Sequence, residues 1–355
     1  QNLNKCGVET IIAATNAGFS EDEFSINNEI EYKQVKIIFF PLEFSEAYKY
    51  SSKLEKWLKK SVSNYDIVHI HAVFSHSSLA ASKACINSKV PYVLRPLGSL
   101  DPWSLKQRKL LKKILFKFGV LKMINSASMI HYTSDSEKEL AEKKINNTKG
   151  FVIPLSVDQS FLEYNNEQSV LKKHDESSYI LFLSRIHHKK GIGLLISAFL
   201  KLKEDKKFSD LRFIIAGDGE KEYVRKIKNT ASENGDIIFT GWLNEEEKKS
   251  ALYNAKLLVL PSYQENFGLC LIESMAMGVP VLISRNVNLY EDIIAGEAGW
   301  VCEMDQDSIH NSLKDILNND EMRKEFGING KKLVENNYTN KVVTQKLMKI
   351  YNSIL

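Results

Sequence analysis

The chain is poor in cysteine and has no long apolar run, and each absence removes a class of protein. Its four cysteines, Cys6, Cys85, Cys270 and Cys302, stand far apart with no CxxC pair and no histidine at a ligand spacing. That excludes a zinc finger or a disulfide framework and leaves each thiol as a small buried hydrophobe in a reduced, cytoplasmic setting. No stretch reaches the roughly 18 apolar residues that a membrane-spanning helix needs. The start, QNLNKCGVET, has neither an initiator Met nor a charged-then-apolar leader, so no signal peptide is visible. It reads as a cut, with Gly7 closing a helix whose beginning, together with a strand and a loop, is expected to be missing. A GxSxG elbow, a GxxxxGKS phosphate loop, a full GxGxxG fingerprint and internal repeats are also absent.

What is present is the composition of a soluble globular protein, with 43% apolar and 26% charged residues in 355. That length exceeds one ordinary core and implies two domains with a cleft between them. Short β-branched runs alternate with segments of helical period, which defines an α/β class with parallel sheets covered on both faces. The first series is VETIIAAT, VKIIFF, DIVHIH, YVLR, SMIHYT and FVI, with helices expected near 46–62, 75–88, 104–124 and 134–145. A second series, YILFLS, RFIIAG, DIIFTG, LLVLPS, VPVLIS and GWVCE, begins after a polar loop, Tyr164 to Ser178. The expected domains are 1–157, 158–338 and a C-terminal helix, 339–355, that packs back toward the first.

The strongest chemical signal is PSYQENFGLCLIESMAMGVPVL, residues 261 to 282. A strand ends in a loop with Glu265, Gly268 follows, and a helix carries Glu273. Eight residues of helix rise about 12 Å, a scale on which two carboxylates could each accept hydrogen bonds from one ring of a sugar nucleotide. The amides of Phe267, Gly268 and Leu269 lie between them at a helix N-terminus, suited to anionic oxygens or hydroxyls. Alone, Glu265 reads equally as a solvated loop acid and Glu273 as an ordinary helix residue. A second constellation changes the balance: after YILFLS comes Arg185, then His187, His188, Lys189, Lys190 and Gly191, a basic loop at the C-terminal end of a strand, where open α/β sheets bind ligands. Arg185 and Lys190 could hold two phosphates without a metal. His69, His71 and His131 read as buried or rim histidines, and Ser134 with Glu137 as a helix capping box.

The pieces SRIHHKKG, RFIIAGDGE, IIFTGWL and the Glu265 to Glu273 pair, in that order and spacing, resemble glycosyltransferase family 4. The resemblance extends more loosely to DIVHIHAVF and RPLGSLDPW in the first half. It implies a GT-B fold, two Rossmann-like domains with parallel sheets facing a central cleft, and transfer with retention of anomeric configuration from a UDP- or GDP-sugar substrate, with no metal or other cofactor. In that likeness Glu273 binds the ribose, while Glu265 and the Phe267 to Leu269 amides hold the transferred sugar. Arg185 and Lys190 take the diphosphate, Trp242 and Leu243 face the base, and the Gly217 to Gly219 turn lies beneath the nucleotide. Arg95, Gly98, Ser99 and Asp101 fall on the acceptor side, which implies a glycan or lipid-linked acceptor of the bacterial surface; no nucleic-acid partner is expected. The chain departs from the family where Leu97 replaces a frequent His before Gly98, where Ser184 replaces a frequent Gly, and where Leu155 and Ser156 replace an Asn-Gly pair. The rival readings are a nucleotide-sugar epimerase of the same fold and a non-catalytic subunit. A glycosidase fits less well, since its two carboxylates must flank one bond.

Charge divides unevenly along the chain. The net is +4, but residues 1 to 157 hold 22 Lys and Arg against 15 Asp and Glu. Much of the excess lies in 105–122, LKQRKLLKKILFKFGVLK, with seven cations and no acid. Leu105, Leu110, Leu111, Ile114, Leu115, Phe118 and Leu121 recur there at helical spacing, which predicts an amphipathic helix. Either the stripe packs into the N-terminal core and the lysines are solvated, or this face rests on the anionic inner leaflet of the plasma membrane.

Overall fold

The computed structural model describes residues 1–19, 25–44, 46, 48–145, 149–165, 178–231 and 235–355. The expected polar loop from Tyr164 to Ser178 lies largely outside them. The chain divides into two compact units, Gln1–Pro154 with Val343–Leu355, and Leu155–Val342.

Unit one holds two sheets. The first has the order β1-β3-β2, from β1 (Ile11–Thr15), β2 (Glu29–Tyr32) and β3 (Val35–Phe40). The second is β4 (Val68–His71), β5 (Tyr92–Arg95), β6 (Met129–Tyr132) and β7 (Gly150–Val152), in that order and parallel throughout. β2 corrects the expectation of purely parallel sheets: it pairs antiparallel with β3, Ile30 opposite Ile37. Its core includes Tyr92, Leu94, Val120, Met123, Ile124, Ile130 and Tyr132.

Helix 104–124 is likewise not one helix. Pro102–Lys106 stops at Gln107 and Arg108, the latter in the left-handed region at φ 49°, and Lys109–Leu115 then widens through a π-type turn, Phe116–Val120, into Leu121–Ser126. The Lys112 ammonium closes the first piece by donating to the Ser104 carbonyl at 2.5 Å. Within this segment Val120, Met123 and Ile124 are buried, whereas Leu110, Leu111, Ile114, Phe118 and Leu121 are exposed. The larger part of the expected stripe therefore stays outside the core.

Unit two is one parallel sheet, β10-β9-β8-β11-β12-β13, built from β8 (Tyr179–Leu183), β9 (Arg212–Ala216), β10 (Ile237–Gly241), β11 (Leu257–Leu260), β12 (Val281–Ser284) and β13 (Gly299–Cys302). Its central strands are continuous apolar runs because helices cover both faces; Ile180, Leu181, Phe182 and Leu257 to Val259 are fully buried. Truncating Phe182 to Ala would cost about 3 to 5 kcal/mol. The order matters more than the burial. From β8 the chain builds outward through β9 and β10, then returns to place β11 on the other side of β8, Leu257 beside Ile180. Two neighbouring strands whose connections leave in opposite directions open a crevice at their C-terminal ends, the place where open α/β sheets bind ligands.

Candidate active site

Both constellations picked out in the second half of the sequence hang over that crevice. The basic loop follows β8 and the Glu265 loop follows β11, and three contacts join them. Gly191 has φ 67°, and a methyl there would collide with the Pro261 carbonyl oxygen. The Tyr263 amide donates to the Lys189 carbonyl at 2.7 Å. The Lys190 ammonium pairs with the Glu265 carboxylate, both side chains being largely buried. The neighbouring loops extend the wall. The Ile186 amide donates to the Asp218 carbonyl at 2.8 Å, and Gly217, at φ 133°, lies so close under Ser184 that a methyl would strike its carbonyl. On the other side, the Asn288 amide donates to the Glu265 carbonyl at 3.0 Å.

Helix Leu269–Ala276 starts from Gly268 in the left-handed region, φ 74°, with no side-chain cap. The Leu271 amide turns back to the Gly268 carbonyl at 2.8 Å, and the helix start carries the positive end of the helix dipole. Phe267 is buried against Tyr338, so this residue can offer a ligand only its backbone. Cys270, in the first turn, has its thiol pushed up to about 12, by burial first and then by the charges of Glu265 and Glu273. Glu265 borders the same turn, its Cγ lying 3.3 Å from where a Gly268 side chain would begin. Glu273 is buried, and its carboxylate accepts from the Lys248 ammonium at 2.7 Å. Lys248 also lies over the Phe161 ring, 4.8 Å from its centroid.

The pairing of Lys190 with Glu265 and the role of Lys248 were not visible in the sequence. Lys248 sits beside Glu245, Glu246 and Glu247 on helix Glu245–Tyr253, a run that reads as a solvated face, and it meets Glu273 only through the fold. Arg185 is exposed on the rim. His187 uses Nδ1 to accept the Lys189 amide at 3.2 Å; burial first, then the adjacent His188, Arg185, Lys189 and Lys190 charges, hold its pKa below the usual histidine range. The loop after β10 leaves Trp242 71% exposed and Leu243 partly buried. A cavity of about 650 Å³ lies elsewhere, lined by Glu220, Tyr223 and Lys226 among others, and contains none of the predicted residues.

In unit one, Arg95 ends β5, and its Nε and one Nη are buried without a hydrogen-bond partner among the described residues. The turn that follows runs through Leu97 at φ 56° and Gly98 at φ 69°. Ser99 Oγ donates to the Pro96 carbonyl, and Asp101 is buried at the start of helix Pro102–Lys106. What fixes this turn is not legible in the sequence. Glu137, 1% exposed, accepts from the Gly98 amide at 2.5 Å and from the Thr133 amide and hydroxyl, each at 2.7 Å. The capping box expected at Ser134 is only half formed: Ser134 Oγ accepts the Glu137 amide at 3.1 Å, but the Glu137 carboxylate turns to Thr133 and Gly98 because that buried turn supplies three donors to it.

A parallel six-stranded sheet with an acidic pair and a basic loop at its switch point, preceded by a second α/β unit, is the layout of a GT-B glycosyltransferase. Comparison with known proteins agrees: residues 1–161 match the model for Glycosyltransferase Family 4, and residues 163–333 match Glycosyl transferases group 1. The chain belongs to the GT4-type glycosyltransferases and is a transferase. It is 25% identical over 353 residues to an uncharacterized glycosyltransferase of Methanocaldococcus jannaschii, covering 94% of this chain and 87% of that protein. It is also 25% identical to a capsular polysaccharide biosynthesis glycosyltransferase of Staphylococcus aureus, over 68% of this chain and 67% of that protein. Among solved structures, Anabaena HepE in complex with UDP-glucose superposes with a TM-score of 0.76 at 16% identity, covering 90% of this chain and 86% of that one.

Proposed function

We propose that the chain transfers a sugar from a nucleoside-diphosphate sugar to a hydroxyl of a glycan or lipid-linked acceptor in bacterial surface polysaccharide synthesis, with retention of anomeric configuration and at the inner face of the plasma membrane. The observation that carries this reading is the crevice between β8 and β11, where Lys190, Glu265 and the helix start at Gly268 come together, with Glu273 on that same helix. A diphosphate needs compact positive charge and backbone donors, and this crevice offers both. Lys190 and Arg185 neutralise the departing nucleoside diphosphate, so the reaction needs no metal ion. Glu265 and the amides of Phe267, Gly268 and Leu269 hold the sugar, and Glu273 accepts the ribose hydroxyls. The sugar departs through an oxocarbenium-like state, and the acceptor hydroxyl attacks from the face the diphosphate leaves. Positioning and leaving-group stabilisation supply most of the rate. The Anabaena complex with UDP-glucose and the capsular relative support the choice of donor and acceptor class.

The test has two arms. Calorimetry with UDP and with GDP should show binding of at least one, weakened in Glu273→Ala by about 1.5 to 3 kcal/mol, the range for a hydrogen bond to a charged group. With labelled donor and a lipid-linked acceptor, the product should keep the donor's anomeric configuration, in chelator as well as without it. Unchanged affinity in the variant removes Glu273 from the site; an inverted product or dependence on a divalent ion overturns the mechanism.

A further inference from the structure

The unpaired guanidinium of Arg95 sits among neutral rings at the C-terminal edge of β5. Strand register sets Arg95 beside His71 of β4, and residues in register share a face of the sheet. On that face the His69 ring stacks on His71 at 4.7 Å and tilts against His131 at 5.2 Å. Burial first, and then the Arg95 charge, hold His71 at about 4 and His131 at about 3, so at neutral pH these rings carry no charge. Glu137 attracts Arg95 but spends its oxygens on the Gly98 amide and on Thr133. Burial outweighs that attraction and pulls the Arg95 pKa below the usual arginine value. Arg95 as a whole is only half-buried, which leaves it within reach of a ligand. The backbone on either side is constrained as well. Ala72, whose amide donates to the Arg95 carbonyl at 2.8 Å, has φ 69°, and Leu97 has φ 56°. Left-handed residues other than glycine cost free energy and cluster where a ligand is held.

We propose that Arg95 and His71 form a phosphate site in unit one and that the group it takes is a phosphate carried by the acceptor, an assignment that rests on the transfer reaction proposed above. A buried cation without a partner is costly, and an anionic ligand removes that cost. The Nε and Nη edge of a guanidinium presents two parallel N–H groups that match two phosphate oxygens, and a neutral imidazole can donate to a third. A carboxylate has only two oxygens and would leave His71 unused. The diphosphate of the donor has Lys190 and the helix start at Gly268 in unit two. An acceptor linked to lipid through a phosphate or diphosphate carries the group that Arg95 lacks, and the end of a neutral glycan does not.

The test compares the wild type with Arg95→Met, which keeps an unbranched side chain and removes the charge. In proton–nitrogen NMR, inorganic phosphate should move the ring signal of His71, identified by its loss in His71→Gln, and should leave that signal in place in Arg95→Met. Without phosphate the variant should melt at a higher temperature than the wild type, because an apolar side chain replaces a buried charge that has no partner. A purely structural arginine would give the opposite sign. At saturating donor, Arg95→Met should raise the KM for a lipid-diphosphate-linked acceptor at least about tenfold and leave the donor KM unchanged, and inorganic pyrophosphate should compete with that acceptor in the wild type. A His71 signal that ignores phosphate, or a variant that melts lower than the wild type, overturns the site. A His71 response to phosphate with an unchanged acceptor KM overturns the acceptor as its source and leaves free phosphate as the ligand. The NMR and melting measurements need no turnover, so the site and the proposed reaction can fail separately.

Discussion

At the scale of single residues, the Lys190 and Glu265 pair sets the terms on which a ligand enters. Both charges are largely withdrawn from water, and each compensates the other; breaking such a pair by removing one partner costs about 3 to 5 kcal/mol. A diphosphate that recruits Lys190 must compete with Glu265 for the ammonium, and a sugar hydroxyl that binds Glu265 relieves that competition. The two halves of a donor would then bind cooperatively, and the free diphosphate would bind less well than the intact donor. Glu265→Gln separates these effects. It should lower the melting temperature, because Lys190 loses its buried partner, and should abolish transfer. It should also tighten UDP or GDP binding severalfold, since the carboxylate no longer competes. Calorimetry decides: a loss of nucleotide affinity matching that of Glu273→Ala would place Glu265 on the nucleotide and not on the sugar.

At the scale of elements, the wall of the crevice between β8 and β11 is made by loops fastened to one another, and glycines permit the fastening. Gly191 needs both its positive φ and the absence of a side chain, because the Pro261 carbonyl occupies the space a methyl would fill. Gly191→Ala should therefore cost about 1 to 3 kcal/mol in stability from overpacking and strain. It should also weaken nucleotide binding, because Lys190 is the adjacent residue; a stable variant with unchanged affinity would show that the loop can reseat. The strands bounding this wall were legible in the sequence because β8, β11 and β12 are covered on both faces and must be continuously apolar. β2 was not: its residues EIEY are mostly exposed at a sheet edge, where no apolar pattern is required. The break at Arg108 escaped for another reason. Periodicity reports which residues share a face, and Leu105 through Leu121 do keep helical spacing, but it does not register a single left-handed residue or a side chain such as Lys112 that ends one helix from within the next. The same spacing identified the stripe without saying which side faces water. Within the candidate site, charged loops at strand ends could be read from strand positions alone, whereas the bonds from Lys248 to Glu273 and from the Gly98 amide to Glu137 join residues far apart in sequence and depend on tertiary packing.

At the scale of the whole molecule, a line of hydrogen bonds ties the end of the chain to the sheet of unit one and makes its stability depend on pH. Tyr351, in the helix Asn340–Ile354, lies 2.6 Å from His69 Nδ1. His69 Nε2 is 3.3 Å from His131 Nδ1, and His131 Nε2 is 2.7 Å from the Ile153 carbonyl. That carbonyl can only accept, so His131 Nε2 carries a proton and Nδ1 accepts from His69 Nε2–H, which leaves His69 Nδ1 to accept from the tyrosine hydroxyl. With both imidazoles neutral, every group in the line is satisfied. Burial, assisted by Arg95 and the neighbouring histidines, holds His69 well below the ordinary histidine value and His131 at about 3. Because the folded values lie below the unfolded value near 6.5, the unfolded chain binds more protons in the interval between them. The stabilisation is therefore complete above about pH 6.5 and is lost as pH falls toward 3, with a limiting slope of about 1.4 kcal/mol per pH unit for each histidine. Melting temperatures measured at about pH 7.5 and about pH 5 should fall on acidification. In His131→Phe, which keeps the ring contact with Phe151 and removes one titrating group, the starting temperature should be lower and the decrease between the two pH values smaller. If wild type and variant lose stability equally over that interval, His131 is not a source of the loss, and acid sensitivity must arise from the other titrating groups instead.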